Sequence, residues 1–241
     1  MQDTVHLSHK HGVQMIAHRG LSGLEPENTV AAFAMAAGRS YFGIETDIHR
    51  TADGQFILIH DDSTGRVAAE NLPVEGTDFA TLRALKLVER NGEISKRGLQ
   101  LPTLEEYIGV CQRSGKTAVL ELKNPMEKED ILHICDSIRA QGYLDGVIFI
   151  SFDFANLKAV REFLPEQPVQ FLTDLVHDEQ IARLQSHRFD LDAEYHTLNA
   201  ELVEKCHAAG IRVNCWTVDD PEAAARLVAY GVDYITTNIL E

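Results

Sequence analysis

Along this 241-residue chain, short runs rich in β-branched and apolar residues alternate with longer stretches whose apolar positions recur at helical spacing. The short runs predict strands over Gln14–His18, Gly43–His49, Thr117–Lys123, Val147–Phe152, Val169–Asp174, Leu191–Thr197, Ile211–Val218 and Asp233–Asn238. The longer ones predict helices over Thr29–Arg39, Thr103–Ser114, Glu129–Gln141, Ala155–Phe163, Asn199–Ala209 and Pro221–Tyr230. Gly115, Gly142, Gly210 and Gly231 stand where helix C-caps are expected. Strands separated by helices predict an α/β fold with a parallel sheet. The strand count favours a closed (β/α)8 TIM barrel over an open doubly wound sheet.

The rhythm breaks between Arg50 and Leu101, where one more strand-like run, Gln55–His60, is followed by a loop-rich segment. About fifty residues is long for a βα connection. It predicts a small insertion after the second strand, at the mouth where barrels place their active sites. With no repeat, low-complexity tract or second core visible, the chain reads as one domain over 1–241, with the insertion at about 50–101.

Composition adds limits. At 44% hydrophobic and 24% charged residues, the chain resembles ordinary globular proteins. No apolar run approaches the roughly 18 residues of a membrane span, so no stable membrane insertion is expected. The polar first twelve residues, Met1–Gly12, contain no apolar signal core. Cys111, Cys135, Cys206 and Cys215 show neither CxxC nor zinc spacing; two sit in predicted helices with apolar stripes and read as buried free thiols, and the set fits a reducing cytoplasm better than a disulfide framework. A net charge of −15 argues against nucleic-acid binding, although a metal and a few cations can still reverse the field locally for a phosphate. His6, His9 and His11 are irregularly spaced in a polar setting and read as a disordered or solvated segment.

Four polar sets fall at predicted strand ends. They are His18-Arg19-Gly20, Glu45-Thr46-Asp47, His60-Asp61 and Glu121-Leu122-Lys123. Strand alternation puts Glu45 and Asp47 on one face, with Ile44, Thr46 and Ile48 on the other. Two carboxylates turned into a barrel repel and lose hydration, which a cation remedies. Asp53-Gly54 is a two-residue hairpin signal. Centred there, the turn would set Asp47 opposite His60 and point both to one face. Alternation also pairs Glu121 with Lys123. An all-oxygen donor set suits Mg²⁺ or Ca²⁺ (Mn²⁺ also) better than zinc. Two histidines can exchange protons near neutral pH, and the basic groups can hold an anion. Together these parts suit metal-assisted phosphodiester cleavage.

The ordered series His18-Arg19-Gly20, Pro26-Glu27-Asn28-Thr29, Glu45-Thr46-Asp47, His60-Asp61, Glu121-Leu122-Lys123 and Trp216 resembles the signature of the glycerophosphodiester phosphodiesterase family across nearly the whole chain. The resemblance implies a TIM barrel hydrolysing small-molecule glycerophosphodiesters to glycerol 3-phosphate and an alcohol. Relatives are thought to use the glycerol hydroxyl as internal nucleophile, forming a cyclic phosphate that water opens. It implies Glu45, Asp47 and Glu121 as ligands of a divalent cation, His18 and His60 as general acid and base, and Arg19 and Lys123 on phosphate. Glu27, Trp216 and Phe152 are expected to contact substrate, Trp216 against the glycerol carbons. Asn28 or Thr29 is expected to cap the following helix, with Pro26 fixing the approach.

Many relatives carry aspartate where this chain has Asn238. Because the residue lies outside the expected metal and histidine sets, the change is expected to touch local loop contacts rather than activity. Two alternatives compete. One is a phosphodiester-binding barrel without turnover, which should lack a histidine or ligand carboxylate. The other is a lysophospholipase D or phosphoinositide-type enzyme. Val67–Arg97 carries mixed charges and no basic amphipathic helix, which favours water-soluble diesters.

Overall fold

The computed structural model describes residues 3–241. Its strands are β1 (Gln14–Ala17), β2 (Gly43–Arg50), β3 (Phe56–Leu58), β4 (Thr117–Leu122), β5 (Val147–Ser151), β6 (Val169–Thr173), β7 (Asp190–Glu194), β8 (Val213–Trp216) and β9 (Tyr234–Thr237). All but β3 run parallel, each paired with its neighbour. Contacts of β1 with both β2 and β9 close them into an eight-stranded barrel. The helices are α1 (Val30–Ala37), α2 (Phe79–Arg83), α3 (Leu104–Ser114), α4 (Lys128–Ala140), α5 (Phe154–Phe163), α6 (Asp178–His187), α7 (Ala200–Ala208) and α8 (Pro221–Tyr230). The fold is the expected (β/α)8 TIM barrel with an insertion after β2. No described helix is long and apolar enough to cross a membrane.

Alternation along each strand sorts its side chains. Ile44 and Ile48 of β2 point outward into the strand–helix layer with Phe33 of α1 and Tyr107 of α3. The two rings meet edge to face at 5.1 Å, and the buried Tyr107 hydroxyl donates to the Ile44 carbonyl at 2.7 Å. Each such fully buried side chain contributes about 1.5–3 kcal/mol by leaving water. Ile16, Val119, Ile148, Ile150, Leu172 and Tyr234 point inward and fill the barrel. Inward positions nearer the C-terminal strand ends are polar instead, and these form the site.

Several local expectations change. A helix, α6, stands between β6 and β7 where none was expected. Its face buries only Ile181 and Leu184, too sparse an apolar stripe to read from the sequence. The insertion has a small core of its own, built from Ile57, Ile59, Ala68, Val74, Leu82, Leu85, Leu87 and Leu101. Those residues are scattered over mostly non-periodic chain, which is why no second core was visible. The hairpin register also differs by one residue. Thr51 N–H donates to Gln55 O at 2.8 Å, so the loop holds three residues, Ala52-Asp53-Gly54, with Gly54 at a φ of 76°. That is the three-residue turn with a left-handed last position rather than the two-residue form. It pairs Ile48 with Leu58 and sets Asp47 opposite Ile59 rather than His60. At the N-terminus the rings of His6, His9 and His11 are solvated, yet the backbone there is ordered: Val5 and Leu7 pair with the C-terminal Ile239 and Glu241.

Candidate active site

The carboxylates are assembled by register. Asp47 of β2 and Glu121 of β4 are Cα partners, and Glu45 lies two residues before Asp47 on the same inward face. One oxygen from each lies within 4.8 Å of the others, and all three residues are buried. Burial, then the neighbouring carboxylates, push Glu45 and Glu121 well above the ordinary carboxylate range. Asp47 is also buried, but Arg19, His60 and Lys123 overcome that and hold it low. Lys123 reaches back over the cluster, its Nζ 3.0 Å from Glu121 and 3.8 Å from Asp47.

Thr29 caps α1 through its hydroxyl, leaving Asn28 free for another task. The Asn28 amide donates to Asp47 Oδ2 at 2.8 Å and its oxygen accepts from the Thr46 hydroxyl at 2.6 Å. Asn28 therefore orients a carboxylate, a role hidden by its suitability as a cap.

The two imidazoles are each tied at Nδ1. His18 Nδ1 lies 2.8 Å from Asn238 Oδ1 and His60 Nδ1 lies 2.7 Å from Asp61 Oδ1. Asn238 Nδ2 donates to Asp219 Oδ2 at 2.6 Å, which turns Oδ1 toward the ring; the Ser22 hydroxyl lies 2.7 Å from both Asn238 Oδ1 and the His18 carbonyl and has one hydrogen to share between them. Both partners at Nδ1 are acceptors, so each neutral ring carries its hydrogen there and presents a free Nε2. His18 Nε2 lies 4.0 Å from Glu45 Oε2. Burial first, then Arg19, lower the His18 pKa to about 4, against the pull of Asn238. Burial also lowers His60, although Asp47 and Asp61 oppose the shift.

His60 reaches this cavity in spite of the changed register. β3 ends at Leu58, so strand alternation no longer governs the bend that carries His60. The expectation for Asn238 is overturned: closure of β9 on β1 makes it the direct hydrogen-bond partner of His18.

Glu27 is clamped between Arg19 Nη1 (2.9 Å) and Arg66 of the insertion (2.6 Å). Arg66 also donates to Asp61, linking the insertion to the His60 partner. Both Glu27 oxygens are engaged by arginines, which ties Arg19 to the insertion. Trp216 and Phe152 meet edge to face at 5.7 Å on the cavity wall; Phe152 is 46% exposed at the rim. One cavity of about 100 Å³ is lined by His18, Arg19, Glu45, His60, Glu121 and Trp216, among others. It gathers the expected residues except Asp47 and Lys123, which stand beside it, and Glu27. Sequence reading missed the roles of Asn28, Arg66, Asp219 and Asn238; of these, Asn28 and Asn238 had been singled out, but for other reasons.

Such a site, with a buried carboxylate triad and two tethered imidazoles at the C-terminal mouth of a parallel barrel, is that of a barrel phosphodiesterase. Residues 18–241 match the model of the glycerophosphoryl diester phosphodiesterase family, and the chain belongs to that family of enzymes. It is 31% identical to a glycerophosphodiester phosphodiesterase of Caldanaerobacter subterraneus subsp. tengcongensis, with 93% of each chain covered. It is 28% identical to a glycerophosphodiester phosphodiesterase of Bacillus subtilis, covering 92% of this chain and 82% of that one. Among solved structures, an Oleispira antarctica phosphodiesterase in complex with the product sn-glycerol-3-phosphate superposes with a TM-score of 0.85. It is 26% identical, with 93% and 92% of the two chains covered.

Proposed function

We propose that the protein hydrolyses glycerophosphodiesters to sn-glycerol 3-phosphate and an alcohol, with a divalent cation held by Glu45, Asp47 and Glu121 and proton transfer by His18 and His60. The observation that carries this reading is a complementary pair of buried atoms without partners, Asp47 Oδ1 and Arg19 Nε. Opposite charges stand near both, Lys123 Nζ 3.8 Å from Asp47 Oδ1 and Asp47 Oδ2 3.9 Å from Arg19 Nε, but neither atom is hydrogen-bonded, in a site that exposes two imidazole Nε2 atoms nearby. A buried polar atom left unpaired costs about 1–3 kcal/mol, which a ligand bearing both charges removes.

The three-carboxylate donor set fits Mg²⁺ or Ca²⁺, with Mn²⁺ a third candidate. When bound, such an ion offsets charge on the phosphoryl oxygens. Arg19 and Lys123 hold the phosphate from the side, and Trp216 packs against the glycerol carbons. One imidazole takes the proton of the glycerol 2-hydroxyl as its oxygen attacks phosphorus. The bond to the alcohol breaks, and the other imidazole, entering as the imidazolium, donates its Nε2 proton to the leaving oxygen. Water then opens the cyclic phosphate with the two roles exchanged. The four buried free thiols suit a reducing, cytoplasmic setting. The exposed Phe152 and Leu175 support a second reading in which the alcohol is apolar, as in a lysophospholipid.

The test is release of glycerol 3-phosphate from glycerophosphocholine and glycerophosphoethanolamine, after chelation and with Mg²⁺, Ca²⁺ or Mn²⁺ restored. Cation-dependent release is expected, and His18→Ala and His60→Ala should each lower it by ~10²–10⁴-fold with the fold intact. Chelator-resistant turnover would count against the carboxylate site, and near-wild-type rates in both mutants against the histidine pair. Faster turnover of lysophospholipids than of either diester would favour the second reading.

A further inference from the structure

Among the described residues, four buried side-chain polar atoms have no hydrogen-bond partner: Arg19 Nε, Tyr41 Oη, Asp47 Oδ1 and Asp192 Oδ1. The proposed phosphate and cation account for Arg19 and Asp47, and Tyr41 lies outside the site. Asp192 is left over. It sits in β7, 2% exposed, with its side chain in the wall of the cavity that His18, Glu45, His60 and Glu121 also line.

No hydrogen bond reaches that oxygen, although the Asn214 amide beside the carboxyl partly favours its charged form. Its strand neighbours are Leu172 on β6 and Asn214 on β8. Asn214 is mostly engaged elsewhere: one amide N–H donates to Gln170 at 3.0 Å, and its oxygen accepts from the Thr236 hydroxyl at 3.2 Å and from the Cys215 N–H at 2.8 Å. Ile150, Leu172 and the indole of Trp216 give the same cavity an apolar stretch of wall, beside Thr217 and Thr236. That indole is fixed by Nε1 donating to the Asp192 carbonyl at 3.3 Å. Burial pushes the carboxyl well above the ordinary range, toward the neutral form, which both donates and accepts a hydrogen bond.

A neutral carboxyl beside an apolar stretch of the cavity wall suits an uncharged hydroxyl carried on a short carbon chain. Phosphate would instead need a cation there. The cavity of about 100 Å³ has room for a small polyol arm.

Resting on the hydrolysis proposed above, we propose that Asp192 is a specificity-determining residue whose carboxyl receives the terminal hydroxyl of the substrate's glycerol arm. The 2-hydroxyl then lies toward the imidazoles and the phosphate toward Arg19. A pocket built to bond a hydroxyl rejects the analogue lacking it, because the buried group stays unpaired. Asp192 thus selects glycerol diesters over propanediol diesters.

The test pairs binding with turnover. Calorimetry on the cation-supplemented protein compares sn-glycerol 3-phosphate with propane-1,2-diol phosphate, which lacks only the terminal hydroxyl. The choline diesters of both are assayed for hydrolysis. Wild-type protein should prefer the glycerol compound by ~10–100-fold. Asp192→Val should lose that preference by weakening only the glycerol ligand, whereas Asp192→Asn, which keeps a donor and an acceptor, should retain most of it. A wild-type preference below ~3-fold, or equal losses on both ligands in Asp192→Val, overturns the assignment. The wild-type comparison decides even where the valine variant does not fold. Absence of diester turnover with an Asp192-dependent binding preference would sink the hydrolysis reading and leave this subsite standing. Turnover without the preference would do the reverse.

Discussion

Asn238 is a sharp test of how the site is held together. Its Oδ1 accepts from His18 Nδ1 and its Nδ2 donates to Asp219. Replacing it with leucine, close in size, leaves the His18 N–H without its acceptor, while the Ser22 hydroxyl keeps the His18 carbonyl at 2.7 Å. The His18 side chain is only 17% exposed, so water replaces the lost acceptor poorly. Leaving such a group unpaired costs about 1–3 kcal/mol, or roughly 5- to 150-fold in rate if the correct tautomer is needed in the transition state. Steady-state kinetics should therefore show a fall in kcat of that size with a smaller change in KM. Asn238→Asp restores an acceptor and adds a negative charge beside the ring. The charge favours the imidazolium, so the His18 titration should move up from about 4 by ~1–3 units. Ring-nitrogen NMR across pH measures that directly. A leucine variant within twofold of wild-type kcat, with unchanged thermal stability, would refute the argument that Asn238 sets the His18 tautomer.

Further perturbations follow the same geometry. Glu45→Gln removes a charge from the triad and should weaken Mg²⁺ or Ca²⁺ binding by at least ~10–100-fold in a calorimetric titration. Glu121 is raised on folding from an ordinary value of 4.5 to about 8, chiefly by burial. Its ionised form is therefore disfavoured in the folded state, and stability drains away as pH climbs from 4.5 toward 8. In cation-free protein, Glu121→Gln should accordingly gain on wild type across that window, by at least ~1 kcal/mol or roughly 2–4 °C in Tm at its upper end. A constant difference between the two proteins from acid to neutral pH would contradict it. Arg66→Gln frees Glu27 and Asp61 together. Arg66 is 46% exposed, so unfolding should change by less than ~1 kcal/mol, while kcat/KM falls several-fold as Arg19 and His60 lose their supports. Loss of stability without loss of rate would count against that positioning role.

Much of this molecule is readable from local pattern, and the reason is periodicity. Strand alternation at Gly43–His49 and Thr117–Lys123 suffices to put Glu45 with Asp47 and Glu121 with Lys123, because side chains two apart always share a face. The alternation of strands and helices likewise implies a parallel barrel and the end of it that carries chemistry. Tertiary structure decided what depends on a single residue of loop length or on closure between distant segments. The three-residue turn at Ala52-Asp53-Gly54 shifted the β2–β3 register by one, and only the bend after β3 returned His60 to the cavity. Asn238 meets His18 across 220 residues because β9 closes on β1, and Arg66 meets Glu27 because the insertion folds over the mouth. Asp192 stands on an inward strand position of the kind the sequence reveals. That its Oδ1 is left without a partner depends on how Gln170, Asn214 and Thr236 satisfy one another around it, and that is settled only when all the strands are packed.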